Sequence, residues 1–516
     1  MDWAEITKQN PWWKFEDVPA NFQHYDRDLK EAGARDIVRK TTTFEKNSIY
    51  VVRGPRRVGK TVWMKQTILN LFNIPIPKIN ARDIFYLDCE TITSGSRIEL
   101  DNTLQNYFRT SRGSQHTFIF LDEVNYITDW ESELKTLYDT GKIINTTIIA
   151  TGSNASMIRK GTSHLSGRRG KGIDLIMRPL SFRQFIINVL RTNASDWGAN
   201  NLNKIGGQDN TLRVNLSMLS AAVEKINFTL EDPLEKIEDQ IGELHKWTEE
   251  LNIMFSIYLI TGGFPMAIKS YFNDENNLKT RQIDENKYRA VIDYIQKDIS
   301  EVGLDYKLTK QVLKTATENL ATKLTYAAFG RNTEEGIPHS TVISHIRSLE
   351  DTFAVRTLNA YDFIKRDEKS KGLKKIYFTD PFVFHAARAA LSGQGGFISA
   401  KESIENEELC GKIVESIVHS HLEASGEVPI MRDPSTFLWF YYTLTGKELD
   451  FIYKRKDEKY LGIEVKYQNQ IKPADLSMPK EISDGFILTK NHLDIDNRMV
   501  PVGVFLAGLE KTENNL

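Results

Sequence analysis

Cysteine is nearly absent from the 516 residues: Cys89 and Cys410 are the only two, far apart and without CxxC spacing. That scarcity argues against a disulfide framework or a zinc knuckle and fits a reducing compartment. Charge of one sign is also lacking. A formal net charge of −2 argues against a globally basic nucleic-acid coat and leaves room for a local basic groove. No run approaches the ~18 apolar residues that span a bilayer, and Met1-Asp2-Trp3-Ala4-Glu5 has no basic stretch leading into an apolar one. The expectation is a soluble, cytoplasmic protein with no membrane partner. A hydrophobic content of 40% and a charged content of 26% are ordinary for globular chains, and the length suggests about three or four domains.

What is present begins with Gly54-Pro55-Arg56-Arg57-Val58-Gly59-Lys60-Thr61, which completes the phosphate-binding P-loop pattern. A β-forming run, Ile49 to Val52, leads in, and a helical segment, Thr61 to Phe72, leads out. In that order the loop N–H groups and the positive helix end wrap phosphates, Lys60 reaches the β/γ oxygens, and the Thr61 hydroxyl takes a place on Mg²⁺. Gly54 to Val62 are the expected ATP contacts.

Four further apolar β-like runs, Ile84–Leu87, Phe118–Leu121, Thr147–Ala150 and Ile173–Met177, alternate with helical or loop segments, the rhythm of a parallel, doubly wound α/β sheet. The second ends in Asp122-Glu123, the Walker B form. Asp122 would hold the Mg²⁺ water shell and Glu123 would act as general base on the attacking water. At the tip of the next strand, Ser153 and Asn154 can sense the γ-phosphate or form a plain turn. Beyond it, Arg168 can serve as an arginine finger, in cis or from a second copy of the chain in a homo-oligomer, or lie in a solvated basic loop.

These pieces, with Met177-Arg178-Pro179-Leu180-Ser181-Phe182 and Gly262-Gly263-Phe264-Pro265, resemble archaeal and bacterial AAA-like ATPases of the STAND/archaeal-ATPase type. The resemblance implies that Gly263 and Pro265 contact the adenine; a tight turn is the plainer reading. The early Asn10-Pro11-Trp12-Trp13 also resembles archaeal members and reads as a core anchor. The expected organisation is an N-terminal segment over 1–47, the ATPase core over 48–190, a helical lid over 191–300, a winged helix over 301–370 and a C-terminal domain over 371–516. In the winged helix, a helix from Ser340 to Phe353, capped by Ser340, offers Ser344, His345, Arg347 and Ser348, a thin set for reading DNA bases.

In the C-terminal third, a helical stretch from Glu408 to Leu422 carries Glu415. The segment from Thr445 to Tyr453 reads as a strand, and that from Tyr460 to Lys466 as its hairpin partner. Side chains alternate along a strand, so Glu464 and Lys466 share a face, and Asp450 on the adjacent strand can join them. Helix Glu, strand Asp and hairpin Glu-x-Lys match the PD-(D/E)XK restriction-endonuclease-like core. Glu415, Asp450 and Glu464 would then hold Mg²⁺ or Mn²⁺, and Lys466 would orient the water that attacks a phosphodiester. Glu448 reads as an exposed neighbour, and His419 and His421 as surface or packing histidines. The leading expectation is an ATPase coupled to a Mg²⁺-dependent nuclease acting on DNA. The alternative is a nucleotide-controlled switch or scaffold whose C-terminal domain binds nucleic acid or protein without cleavage.

Overall fold

A computed structural model describes every residue except 1, 15–17, 34–35, 41, 75–78, 111–114, 154–164, 166, 192–195, 274–281, 335, 370–371, 427–435, 444–446, 469–481, 483 and 511–516. Asn154 therefore lies outside the described residues. The chain divides into two compact units, Met1–Arg178 and Pro179–Glu513.

The first unit is built on five strands: β1 (Ser48–Arg53), β2 (Ile84–Asp88), β3 (Thr117–Asp122), β4 (Thr146–Gly152) and β5 (Asp174–Ile176). They lie in the order β2-β3-β4-β1-β5, all parallel. Strands β1, β3 and β4 are buried along their whole length, as strands covered on both faces must be, and this is why they read as continuous apolar runs. The order places β4 between the P-loop strand and the Walker B strand, so its tip sits among both sets of functional groups.

β2 is an edge strand, and its outward backbone groups are met by side chains. Tyr86 N–H donates to Asn10 Oδ1 at 2.7 Å, and Asn10 Nδ2 donates to Tyr86 O at 2.8 Å. The indoles of Trp12 and Trp13 both donate to Ile84 O, at 3.1 and 3.0 Å, and Asp88 N–H donates to Gln9 Oε1 at 2.8 Å. An unpaired edge is a template for foreign strands; here the segment Gln9–Trp13 closes it without forming a strand. Trp12 and Trp13 are both buried, as a core anchor requires.

The second unit combines helices with a mixed sheet. Its strands Leu438–Tyr442, Glu448–Lys454, Tyr460–Lys466, Asp484–Thr489 and Met499–Pro501 lie side by side in chain order, the first two junctions antiparallel and the last two parallel. The helix Glu407–Ser425 packs against this sheet and against the strand Lys374–Phe378, which pairs antiparallel with Val355–Asn359. Three helices, Tyr306–Glu318, Tyr326–Arg331 and His339–Asp351, precede that ribbon. Contrary to the sequence reading, the last starts one residue earlier, capped by Pro338 rather than Ser340. It turns His345 and Ser348 inward, His345 Nδ1 lying 2.7 Å from Thr309 Oγ1, and leaves Ser344 and Arg347 exposed. Among the described residues no single helix is long and apolar enough to cross a membrane.

His385 lies on the helix Pro381–Ser392, fully buried, with Nε2 2.8 Å from Leu259 O. A carbonyl only accepts, so Nε2 carries the proton. Burial depresses this imidazole to about 4. A group whose folded value lies below its unfolded 6.5 contributes stability that is present above 6.5 and lost as pH falls toward 4. The nearby Asp380 is pushed up to about 7 by burial and acts in the opposite sense, so the expected result is a difference. Between pH 6.5 and pH 5 the parent should lose about 1–2 kcal/mol of stability relative to His385→Gln, read by urea unfolding at the two pH values. Parallel curves would show that His385 does not titrate on unfolding.

Candidate functional site

Arg53 ends β1, and the chain turns at once into the loop Gly54–Gly59. Gly54 passes so close to β5 that an added Cβ would lie 2.2 Å from Met177 O, and Gly59 enters the helix Lys60–Phe72 with φ 102°. Both positions therefore require glycine. Lys60 is buried, and its ammonium donates to Gly54 O at 3.0 Å and Pro55 O at 3.1 Å, inside the loop. Arg39, also buried, donates from Nη2 to Val58 O at 2.9 Å and from Nη1 to Arg178 O at 2.7 Å, bracing the loop from behind.

Walker B sits opposite. Thr61 Oγ1 donates to Asp122 Oδ2 at 2.6 Å, Tyr86 OH donates to the same oxygen at 3.0 Å, and the Thr151 hydroxyl donates to Oδ1. Burial and the neighbouring Glu123 push the Asp122 carboxyl up. Glu123, in the left-handed region at φ 51°, is turned toward the loop. Its Oε2 accepts from Ser153 Oγ at 2.9 Å, and its Oε1 lies 3.7 Å from Lys60 Nζ. Burial alone would raise this carboxyl, but Lys60, the Ser153 hydroxyl and Arg56 outweigh it and hold it below its ordinary value. Asp88, in register with Asp122 at the tip of β2, is pushed up to about 6 by burial first and then by its acidic neighbours.

The donor set suits a nucleotide and its metal: a hydroxyl and a carboxylate side by side for Mg²⁺, an ammonium for phosphate oxygens, and an ionised carboxylate beyond them. Of the residues read from the sequence, Lys60, Thr61, Asp122, Glu123 and Ser153 come together here. Arg168 is held elsewhere in this unit, its Nε donating to both Asp139 oxygens at 2.9 and 3.1 Å. Pro265 lies in the second unit, where it opens the helix Pro265–Asn273. The turn before it is tight: Gly263 N–H donates to Asp380 Oδ2 at 2.8 Å. Arg39 and Tyr86 are additions that no local motif announces, while Thr151 stands in the strand-tip motif Thr151-Gly152-Ser153 and its bond to Asp122 is the new element.

The C-terminal carboxylates also converge. Val465 N–H donates to Asp450 Oδ2 at 3.0 Å, and Asp450 N–H to Glu464 Oε2 at 3.1 Å. Lys466 Nζ lies 2.6 Å from Glu464 Oε1. A residue not read as part of this group occupies its centre. Lys375 Nζ lies 2.7 Å from Glu415 Oε1, 2.6 Å from Glu448 Oε1 and 2.9 Å from Asp450 Oδ1. Glu448 is thus part of the cluster and not merely an exposed neighbour. It follows from alternation: Glu448 and Asp450 lie two apart on one strand, as do Lys375 and Tyr377 on another, and Tyr377 OH donates to Glu415 Oε1 at 2.7 Å. Burial and the adjacent Asp450 raise Glu415 to about 7 and Glu464 to about 8. His419 and His421 are buried packing groups, His419 stacked on Tyr377 with centroids 4.6 Å apart. Among the described residues no set of His, Cys, Asp and Glu has the geometry of a metal centre.

A family model described as an AAA domain matches residues 46–186. Two models described as domains of unknown function, DUF8612 and DUF4143, match 253–394 and 410–495. The chain is 27% identical over 175 residues to the uncharacterized protein MJ1637 of Methanocaldococcus jannaschii, a match spanning 33% of this chain and 34% of that protein. Among solved structures, the Walker-type ATPase paby2304 of Pyrococcus abyssi aligns over 70% of this chain and 94% of its own, at 13% identity and a TM-score of 0.38. A RuvB of Thermotoga maritima aligns over 69% and 89%, at 12% identity and a TM-score of 0.24. The chain carries an AAA-type P-loop ATPase domain, matched over residues 46–186, in which Lys60, Thr61, Asp122, Glu123 and Ser153 gather at the carboxyl ends of a five-strand parallel sheet.

Proposed function

We propose that the chain hydrolyses ATP with Mg²⁺ and uses the nucleotide cycle to control what its second unit binds, nucleic acid or protein, without cutting it. The observation that carries the ATPase reading is Glu123, ionised and held by Ser153, next to the Thr61–Asp122 pair and Lys60. Mg²⁺, when bound by Thr61 and Asp122, would neutralise charge on the β and γ oxygens. Lys60 binds those oxygens, the loop backbone from Gly54 to Thr61 orients them, and Glu123 takes the proton of the attacking water. Arg168 as a finger, in cis or from a second copy, and Pro265 as a base contact belong to this proposal on the strength of the resemblance.

Metal-dependent cleavage of DNA by Asp450, Glu464 and Lys466 is the competing reading, motivated by their convergence on adjacent strands. Two observations weigh against it: the lysine at the centre of the carboxylates, and the burial of His345 and Ser348, which leaves only Ser344 and Arg347 exposed of the four candidate base readers on the third helix. The test measures ATP hydrolysis by the full chain with Mg²⁺, and cleavage of linear, circular and single-stranded DNA with Mg²⁺ or Mn²⁺. We expect hydrolysis that Lys60→Ala abolishes together with nucleotide binding, and intact DNA. Absent hydrolysis would end the ATPase proposal; cleavage lost in Asp450→Ala would restore the nuclease.

A further inference from the structure

We infer that Lys375 is the resident cation of the C-terminal carboxylate cluster, so that this cluster works without a divalent metal. The inference rests on the non-cleaving reading above and gives it a physical basis.

An ammonium has three N–H groups, and this one meets three carboxylates, Glu415, Glu448 and Asp450, at 2.7, 2.6 and 2.9 Å. Those to Glu415 and Asp450 are charge-assisted hydrogen bonds, and that to Glu448 is an ion-pair contact, so the ammonium is committed on three sides. The remaining oxygens are largely committed. Asp450 Oδ2 accepts from Val465 N–H, Glu464 Oε2 from Asp450 N–H, and Glu464 Oε1 faces Lys466. Glu448 Oε2 lies 2.5 Å from Lys323 Nζ. Mg²⁺ demands about six oxygens in octahedral array at about 2.0–2.1 Å, which these carboxylates cannot supply while they hold the ammonium.

Retraction of the lysine is disfavoured by its surroundings. Lys375 is 2% exposed, so leaving the cluster would strand either its own charge or three carboxylates. Its backbone is fixed in the strand Lys374–Phe378, paired along its length with Val355–Asn359. Tyr377, on the same face, is bonded to Glu415 as well. A cation carried by the backbone cannot be chelated or exchanged, and it ties the ribbon, the helix Glu407–Ser425 and the mixed sheet together at one point.

The test titrates Mn²⁺ into the nucleotide-free full chain and follows free Mn²⁺ by electron paramagnetic resonance, for the parent, Asp450→Asn, Lys375→Met and the double variant Lys375→Met/Asp450→Asn. We expect the parent and Asp450→Asn to take up the same amount. Lys375→Met should gain a Mn²⁺ site that the double variant lacks, with a rise of several degrees in its Tm on saturation. Greater uptake by the parent than by Asp450→Asn would overturn the inference, and this pair decides it even if Lys375→Met fails to fold. A folded Lys375→Met that gains no site would also overturn it. Greater Mn²⁺ uptake by the parent than by Asp450→Asn, without DNA cleavage, sinks only the role of Lys375, whereas cleavage sinks the non-cleaving reading, so the two failures are distinguishable.

Discussion

Glu123→Gln should bind ATP as tightly as the parent while hydrolysing it about 10²–10⁴-fold more slowly, the usual contribution of a positioned general base. The amide keeps the length and the Ser153 contact of the carboxylate but cannot take a proton from water. On the proposed function, Lys60, Thr61 and Asp122 would still hold the phosphates and their metal. The effect should fall on the chemical step because Glu123 is held ionised by Lys60, Ser153 and Arg56, leaving it ready as a base across neutral pH. Single-turnover hydrolysis beside equilibrium nucleotide binding separates the two quantities. A variant that hydrolyses normally, or that loses affinity instead, would assign the base to another group.

Trp12→Ala should lower the unfolding free energy of the first unit by about 3–5 kcal/mol, the range for a large buried aromatic cut to a methyl group. The indole is 1% exposed, packs edge-on against Phe22 with centroids 4.9 Å apart, and donates to Ile84 O on the sheet edge. Trp12→Phe should recover most of the packing and lose only the hydrogen bond, a cost of about 1 kcal/mol. Denaturant unfolding followed by circular dichroism reads both. If Trp12→Ala proved no worse than Trp12→Phe, the segment Gln9–Trp13 would be decoration rather than part of the core.

The ATPase half of the chain is legible because its signals are local. A buried parallel strand has to be an apolar run, a phosphate loop needs its glycines at fixed offsets, and the carboxylates stand at a strand end. The runs Ile49–Val52, Phe118–Leu121 and Thr147–Ala150 all lie within strands of the sheet. What escaped is what depends on strand order. Thr151 bonds Asp122 only because β4 lies between β1 and β3, and Arg39 joins Val58 to Arg178, far along the chain. In the C-terminal part, Lys375 belongs to no motif with Glu415, Asp450 or Glu464 along the chain. The signal that could have found it is a lysine two residues from a tyrosine in a run otherwise apolar beyond Lys374, since a lysine on a buried strand face needs a carboxylate opposite. Glu448 and Asp450, likewise two apart, are that complement. The sequence pattern shows the match in chemistry but not the pairing in space.

The side chains that close β2 are also made early. Trp12 and Trp13 leave the ribosome about seventy residues before their partner strand; at about 5–20 residues per second they wait several seconds or more. During that interval the indoles lack the strand they donate to, and a transiently exposed apolar surface of this kind invites association. The segment that later keeps foreign strands off the finished sheet is, on the nascent chain, an adhesive surface of its own.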